Sequence, residues 1–197
     1  MLAETKLDTI SAIRSRRAIR SYTSGRLEKN IVQELIDAAI QAPTAVHREP
    51  WAFAVIQDKE RLRRYSDGAK TLLLEQQQAT SFFQGHEPRA LPLLSDPAFN
   101  IFYDAGTLVV IGCTARGPFV EADCWLAAEN LMLAATAKGL GTCCIGFAVG
   151  ILNTPEVKRE LGFPEAGAAV APIIVGVPKG PMPTSARKPP VILSWIS

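Results

Sequence analysis

The chain has 197 residues, 48% of them hydrophobic and 20% charged, with a formal net charge of +2. That is the profile of a globular domain with ample material for a core, and so small a net charge excludes the global positive field that gathers nucleic acid. Cys113, Cys124, Cys143 and Cys144 form no CxxC pair, His47 and His86 offer no metal-ligand spacing, and no run of about 18 apolar residues could span a bilayer.

MLAETKLDTI lacks the apolar stretch of a signal peptide, so the expectation is a cytoplasmic protein with reduced thiols, no metal and neither membrane nor nucleic acid as partner. Leu7, Ile10 and Ile13 predict a short helix over 7–14. It runs into SRRAIRSY, where Arg16, Arg17 and Arg20 lie close behind Arg14. Leu27, Ile31, Leu35, Ala38 and Ala39 form the apolar stripe of a stronger helix over 28–41, which Pro43 stops. WAFAVIQD, 51–58, reads as a strand. A polar helix is expected around 59–66, further helix over 69–84, and an irregular lid-like loop from Gly85 to Pro97.

TLVVIGCTA, 107–115, is a continuous apolar run that suits a strand buried on both faces. EADCWLAAENLMLAATAK, 121–138, is helical and apolar nearly all round, so it lies centrally or against a second subunit, and Gly139 and Gly141 end it. Thr154 as N-cap and Pro155 at the first helical position open another helix that ends near Gly162. VAPIIVGVP, 170–178, is a last core strand, followed by a tail from 179 to 190 rich in proline and basic residues. The order predicts one mixed α+β domain over 1–197 rather than a doubly wound sheet.

Four stretches could carry chemistry. The arginine cluster has the forked, permanently charged donors that suit a phosphate; the alternative is a solvated basic helix end. APTAVHREPWAF, 42–53, is a loop between helix and strand in which Thr44 and His47 could donate to a ligand, with Trp51 as core anchor. GLGTCCIGF, 139–147, could let backbone approach a flat ligand, but it follows a helix and is not GxGxxG, so no dinucleotide fingerprint is met. SARKPP, 185–190, places Arg187 and Lys188 in a loop with nothing of its own to hold it. The adjacent Cys143 and Cys144 suggest a thiol redox centre, although small core residues fit them better than a strained vicinal disulfide.

Taken in order, RRAIR, PTAVHREPW, AAENLMLAATAKGLGTCCIG, VGVP and the late basic loop resemble the FMN-dependent nitroreductase family, from about residue 9 to Trp195. The resemblance implies a nitroreductase-like α+β fold, a central mostly antiparallel sheet flanked by helices, in an intertwined homodimer with FMN at the interface. A variable segment would cover 66–105, and an arm, 179–197, would wrap onto the partner. By the same resemblance Arg16, Arg17, Ala18 and Arg20 form the first FMN motif, and Arg187 and Lys188 close on the phosphate. Pro43, Thr44, Ala45 and His47 form the loop that the second chain supplies. Ile145, Gly146 and Phe147 bring backbone to the flavin edge. Ala18 stands where serine is common, His47 where asparagine is usual, and Glu49 where glutamine is usual.

The implied activity is an NADH- or NADPH-dependent, ping-pong reduction of nitroaromatic, quinone or similar small-molecule acceptors. No side-chain acid is demanded, since water can supply the protons, and no catalytic residue is assigned. Two other readings stand beside it: a specialised flavoenzyme of the same scaffold (dehalogenation, dehydrogenation or flavin breakdown) and a non-enzymatic anion- or nucleic-acid-binding module.

Overall fold

The computed structural model describes residues 7–79, 90–181 and 183–196. Its frame is a four-stranded sheet of β1 (Trp51–Ile56), β2 (Thr107–Cys113), β3 (Gly141–Cys144) and β4 (Ala168–Gly176), ordered β1-β2-β4-β3. Every neighbouring pair is antiparallel.

The two central strands are buried along their whole length, which is why both read as unbroken apolar runs. Alternation sends Leu108 and Val110 of β2 to one face and Val109, Ile111 and Cys113 to the other. One face is covered by α2 (Lys29–Ala39) and α5 (Val120–Ala137). The other is covered by α3 (Lys59–Ala79), α4 (Ala90–Ser95), α6 (Val149–Leu152) and α7 (Pro155–Leu161). The expected α+β architecture is the observed one.

Local signals explain most of the boundaries. The Thr154 hydroxyl accepts from the Val157 N–H at 3.4 Å, and α7 ends on left-handed Gly162, φ 79°. Gly139, φ 71°, caps α5. Gly141 serves close approach, because a Cβ there would stand 2.8 Å from Ile19.

Several expectations need correction. Residues 59–66 and 69–79 are one continuous helix, α3, because Gly68 costs only about 1 kcal/mol inside a helix and its neighbours Tyr65, Ser66, Ala69 and Lys70 are buried; 80–84 lie outside the described residues. Of the loop expected from Gly85 to Pro97, residues 90–95 are helical, and 85–89 are not described. On α2 the buried stripe is Val32, Leu35 and Ala39, while Ile31 and Ala38 are only half-buried. On α1 (Thr9–Ser15) Ala12 faces inward, whereas Leu7, before the helix, and Ile10 and Ile13 on it are exposed. Trp51 is half-buried rather than fully in the core.

Candidate functional site

The segment after α1 lies in extended form along the free edge of β3. Ala18 forms a parallel bridge with Thr142, and the Ile19 N–H donates to the Thr142 carbonyl at 2.9 Å. Further on, Tyr22 bridges Pro178, and the Lys179 N–H donates to the Ser21 carbonyl at 2.9 Å. Buried Ile19 and Tyr22 anchor this segment, so the arginines between and before them are held against the sheet edge.

Their environments differ. Arg16 is partly buried and its Nε lies 3.6 Å from Glu129 of α5, an acidic neighbour that reading along the sequence does not bring near. Arg17 turns back, and its Nη1 donates to the carbonyls of Arg14 and Arg16, both at 2.7 Å. It thereby satisfies carbonyls at the end of α1, while its buried Nε is left without a partner. Arg20 is exposed, with Cζ 6.0 Å from the Tyr103 ring centroid. Burial pushes the Tyr103 phenol and the Cys143 thiol up, and Arg20 pulls both back down.

Arg20 lines a cavity of about 470 Å³ with Leu73, Ile101, Tyr103, Cys143 and the Ile145–Phe147 turn that follows β3. The walls are mostly apolar, with a cation at one corner, as in many cofactor sites. The Gly146 and Phe147 N–H groups open a short helical turn and have no acceptor among the described residues. Gly146 and Gly150 both border the cavity, and a Cβ on either would meet nothing within 4 Å. Neither glycine is required by the packing of the chain itself; their smallness keeps the cavity open. A second hollow, of about 320 Å³, adjoins Ala18 and Arg20 and is closed by Pro178, Lys179 and Gly180.

The expected site residues therefore fall into two groups. Arg16, Arg17, Ala18, Arg20, Ile145, Gly146 and Phe147 gather at the β3 edge. Pro43, Thr44, Ala45 and His47 lie elsewhere, beside the start of α5, where the Ala45 N–H donates to buried Asp123 at 3.1 Å. There the Thr44 hydroxyl accepts from the Glu49 N–H at 3.4 Å, and His47 is exposed. Arg187 and Lys188 sit on an extended, exposed arm. Residue-by-residue reading missed Leu73, Ile101, Tyr103 and Gly150 as cavity walls. The one usable signal was the aromatic cluster Phe99, Phe102 and Tyr103 just ahead of β2.

Cys143 and Cys144 are free thiols. As successive strand residues they point to opposite faces, Cys143 into one core and Cys144 toward Met132 in the other. A vicinal redox pair is not formed. Among the described residues no cluster of potential ligands could hold a metal ion, and no helix is long and apolar enough to cross a membrane.

The Nitroreductase family profile matches residues 13–177. A Methanothermobacter thermautotrophicus protein whose name joins NADH dehydrogenase and NAD(P)H nitroreductase is 25% identical over 88% of this chain and 79% of its own. An iodotyrosine deiodinase of Drosophila melanogaster is 27% identical over 89% of this chain and 65% of its own length. The solved structure of an FMN-dependent nitroreductase of Clostridium difficile superposes with a TM-score of 0.77 at 25% identity, covering 95% of this chain and 98% of that one.

Proposed function

The chain belongs to the nitroreductase family, and from that premise we propose that it is an FMN-dependent, NAD(P)H-oxidising reductase of nitroaromatic, quinone or similar conjugated acceptors. The observation that carries this reading is the cavity at the end of β3, where Gly146 and Gly150 leave open a largely apolar space beside the Arg20 cation. The donor set suits FMN in a second respect: Arg17 Nε is buried without a partner, and such an orphan implies a ligand or water.

When bound, FMN would accept hydride from NADH or NADPH and pass reducing equivalents to the acceptor that replaces the nucleotide. The residues of the chain bind and tune. Arg16, Arg17 and Arg20, beside Ala18, supply charge-assisted donors for the phosphate and polar edge, joined by Arg187 and Lys188 of the arm. A guanidinium in a cavity walled by Leu73, Ile101 and Phe147 favours the electron-rich form of whatever it contacts. Leu73, Ile101, Ile145 and Phe147 exclude water from the ring's surface. Protons come from solvent, so no side chain is assigned as acid.

A second copy of the chain completes the site by presenting its own loop of Pro43, Thr44, Ala45 and His47. In support, Phe119, Trp125 and Leu126 beside or on α5 and a run of apolar residues on the arm are exposed in the single chain.

The test is the visible spectrum of purified, dialysed protein, followed by anaerobic addition of NADPH and then NADH. Flavin bands near one FMN per chain that bleach with either nucleotide are expected. A colourless protein that cannot be reconstituted sinks the reading. The deiodinase relative supports a second reading, reductive dehalogenation on the same scaffold. Flavin that resists NAD(P)H, together with turnover of a halogenated phenol under chemical reduction, would favour it.

A further inference from the structure

Tyr103 and Asp104 both have positive φ, 52° and 55°. For a bulky aromatic residue that is a genuine outlier, and such strain persists only where the surroundings over-determine it. Here they do. Lys70, on α3 and buried, directs its ammonium group to the carbonyls of Phe99 at 2.9 Å, Pro97 at 3.4 Å and Asp96 at 3.5 Å, and lies 3.0 Å from the Asp67 carboxylate. A buried ammonium is costly unless its donors are met, and these oxygens meet them.

Close by on α3, the buried Ser66 hydroxyl accepts from the Ile101 N–H at 3.0 Å. Asn100 accepts from the Phe102 N–H and donates to the Asp104 carboxylate, both at 2.9 Å. Ile101 and Phe102 are themselves fully buried. The strap from Asp96 to Asp104 is thus pinned to α3. Two of its side chains, Ile101 and Tyr103, line the cavity; Tyr103 is the one beside Arg20, braced edge-on by Phe99 with ring centroids 5.6 Å apart.

We propose that Lys70 and Tyr103 are positioning residues. The Lys70-clamped strap holds the Tyr103 ring against the Arg20 guanidinium and so fixes the orientation of that cation for an anionic or carbonyl group of bound FMN. This rests on the FMN reading of the cavity. The Arg20 Cζ lies 6.0 Å from the Tyr103 ring centroid, at the outer reach of a cation–π contact, and burial holds the phenol up as a neutral group beside it.

The test compares wild type, Tyr103→Leu, Tyr103→Phe, Lys70→Met and the Lys70→Met/Tyr103→Leu double variant. FMN affinity is read by flavin fluorescence, and backbone hydrogen exchange is read without FMN. Tyr103→Leu should weaken FMN binding roughly 3- to 10-fold, while Tyr103→Phe, which keeps the ring, stays within about twofold of wild type. Lys70→Met should speed exchange at Ile101 and Phe102 roughly tenfold or more and weaken FMN binding by a similar factor. The double variant should be no weaker than the worse single one, because both act through Arg20.

Wild-type affinity in Tyr103→Leu, equal loss in Tyr103→Phe, or multiplied losses in the double variant would overturn the proposal. If Lys70→Met does not fold, Asn100→Ala tests the same strap by the same two readouts. Failure of wild type to bind FMN would defeat the cofactor reading itself. Wild-type binding with indifferent variants would defeat only the positioning role.

Discussion

The two groups of site residues differ in what holds them. At the β3 edge, the arginine segment is bonded to Thr142 and Lys179, and the turn that follows β3 closes on a buried core. The other group sits on structure that faces outward. Val46, His47 and Glu49 all have positive φ, 50°, 53° and 44°, in an exposed loop. On the arm Leu193 is 94% exposed and Trp195 85%. A strained exposed loop and a contiguous apolar arm both cost free energy that a single chain does not recover. The contrast separates an inward group seated on buried core from an outward group left exposed in the single chain.

The largest effect should come from removing the outward group. Deleting residues 184 to 197 is expected to abolish pairing and FMN retention together, because it removes Arg187, Lys188 and the apolar arm at once. Light scattering on a sizing column and the flavin-to-protein ratio would show it. A truncated chain that stays paired and yellow would mean that the arm does not matter and that the comparison fails.

Next is a pair of leucines on one helix. Leu131 of α5 is fully buried, and Leu126, little more than a turn away, is 45% exposed. Leu131→Ala should cost about 2–5 kcal/mol of stability. Leu126→Ala should cost under about 1 kcal/mol in the folded chain and instead weaken pairing. Denaturant melts at two protein concentrations separate the two. Equal losses of stability would mean that the outer face of α5 is ordinary core.

Within the inward group, Gly150→Leu should leave the melting temperature nearly unchanged, since a Cβ there meets nothing. FMN binding should fall about 10-fold or more, because the new side chain fills the cradle. Undiminished binding would show that the cavity is not where the flavin sits.

Much of the fold was legible because its residues face one environment along whole elements. TLVVIGCTA and VAPIIVGVP read as strands, and β2 and β4 overlap them, since both faces of the two central strands are buried. Thr154-Pro155 and Gly162 marked α7 because caps are local chemistry. The arginine cluster and GLGTCCIGF stood out by residue chemistry, but that they meet was not legible, since no spacing rule shows an edge segment pairing with a distant strand. Tyr103 left only the trace of an aromatic cluster ahead of β2, because its place depends on Lys70, Ser66 and Asn100 converging through tertiary contacts. The continuity of α3 through Gly68 was not legible, because its packing against Ile151 is a tertiary contact.

The smallest effect concerns the thiols of the inward group. Burial pushes Cys144 from the usual 9.0 up to about 11; Cys143 is also raised, against the pull of Arg20. A folded-state value above the unfolded one means stability is intact below about pH 9 and lost as pH climbs through the folded value, because the unfolded chain releases the proton more easily. At neutral pH these thiols are therefore protonated and poor nucleophiles. The Cys143→Ala/Cys144→Ala variant should keep turnover within about twofold, lose a few degrees of melting temperature from lost packing, and show a shallower fall in stability between about pH 8 and pH 10.5 than wild type. Melting curves at the two pH values, with turnover at neutral pH, check all three. A tenfold or greater fall in turnover would put a thiol into the chemistry of the cavity and displace the reading in which Arg20 and the flavin carry it.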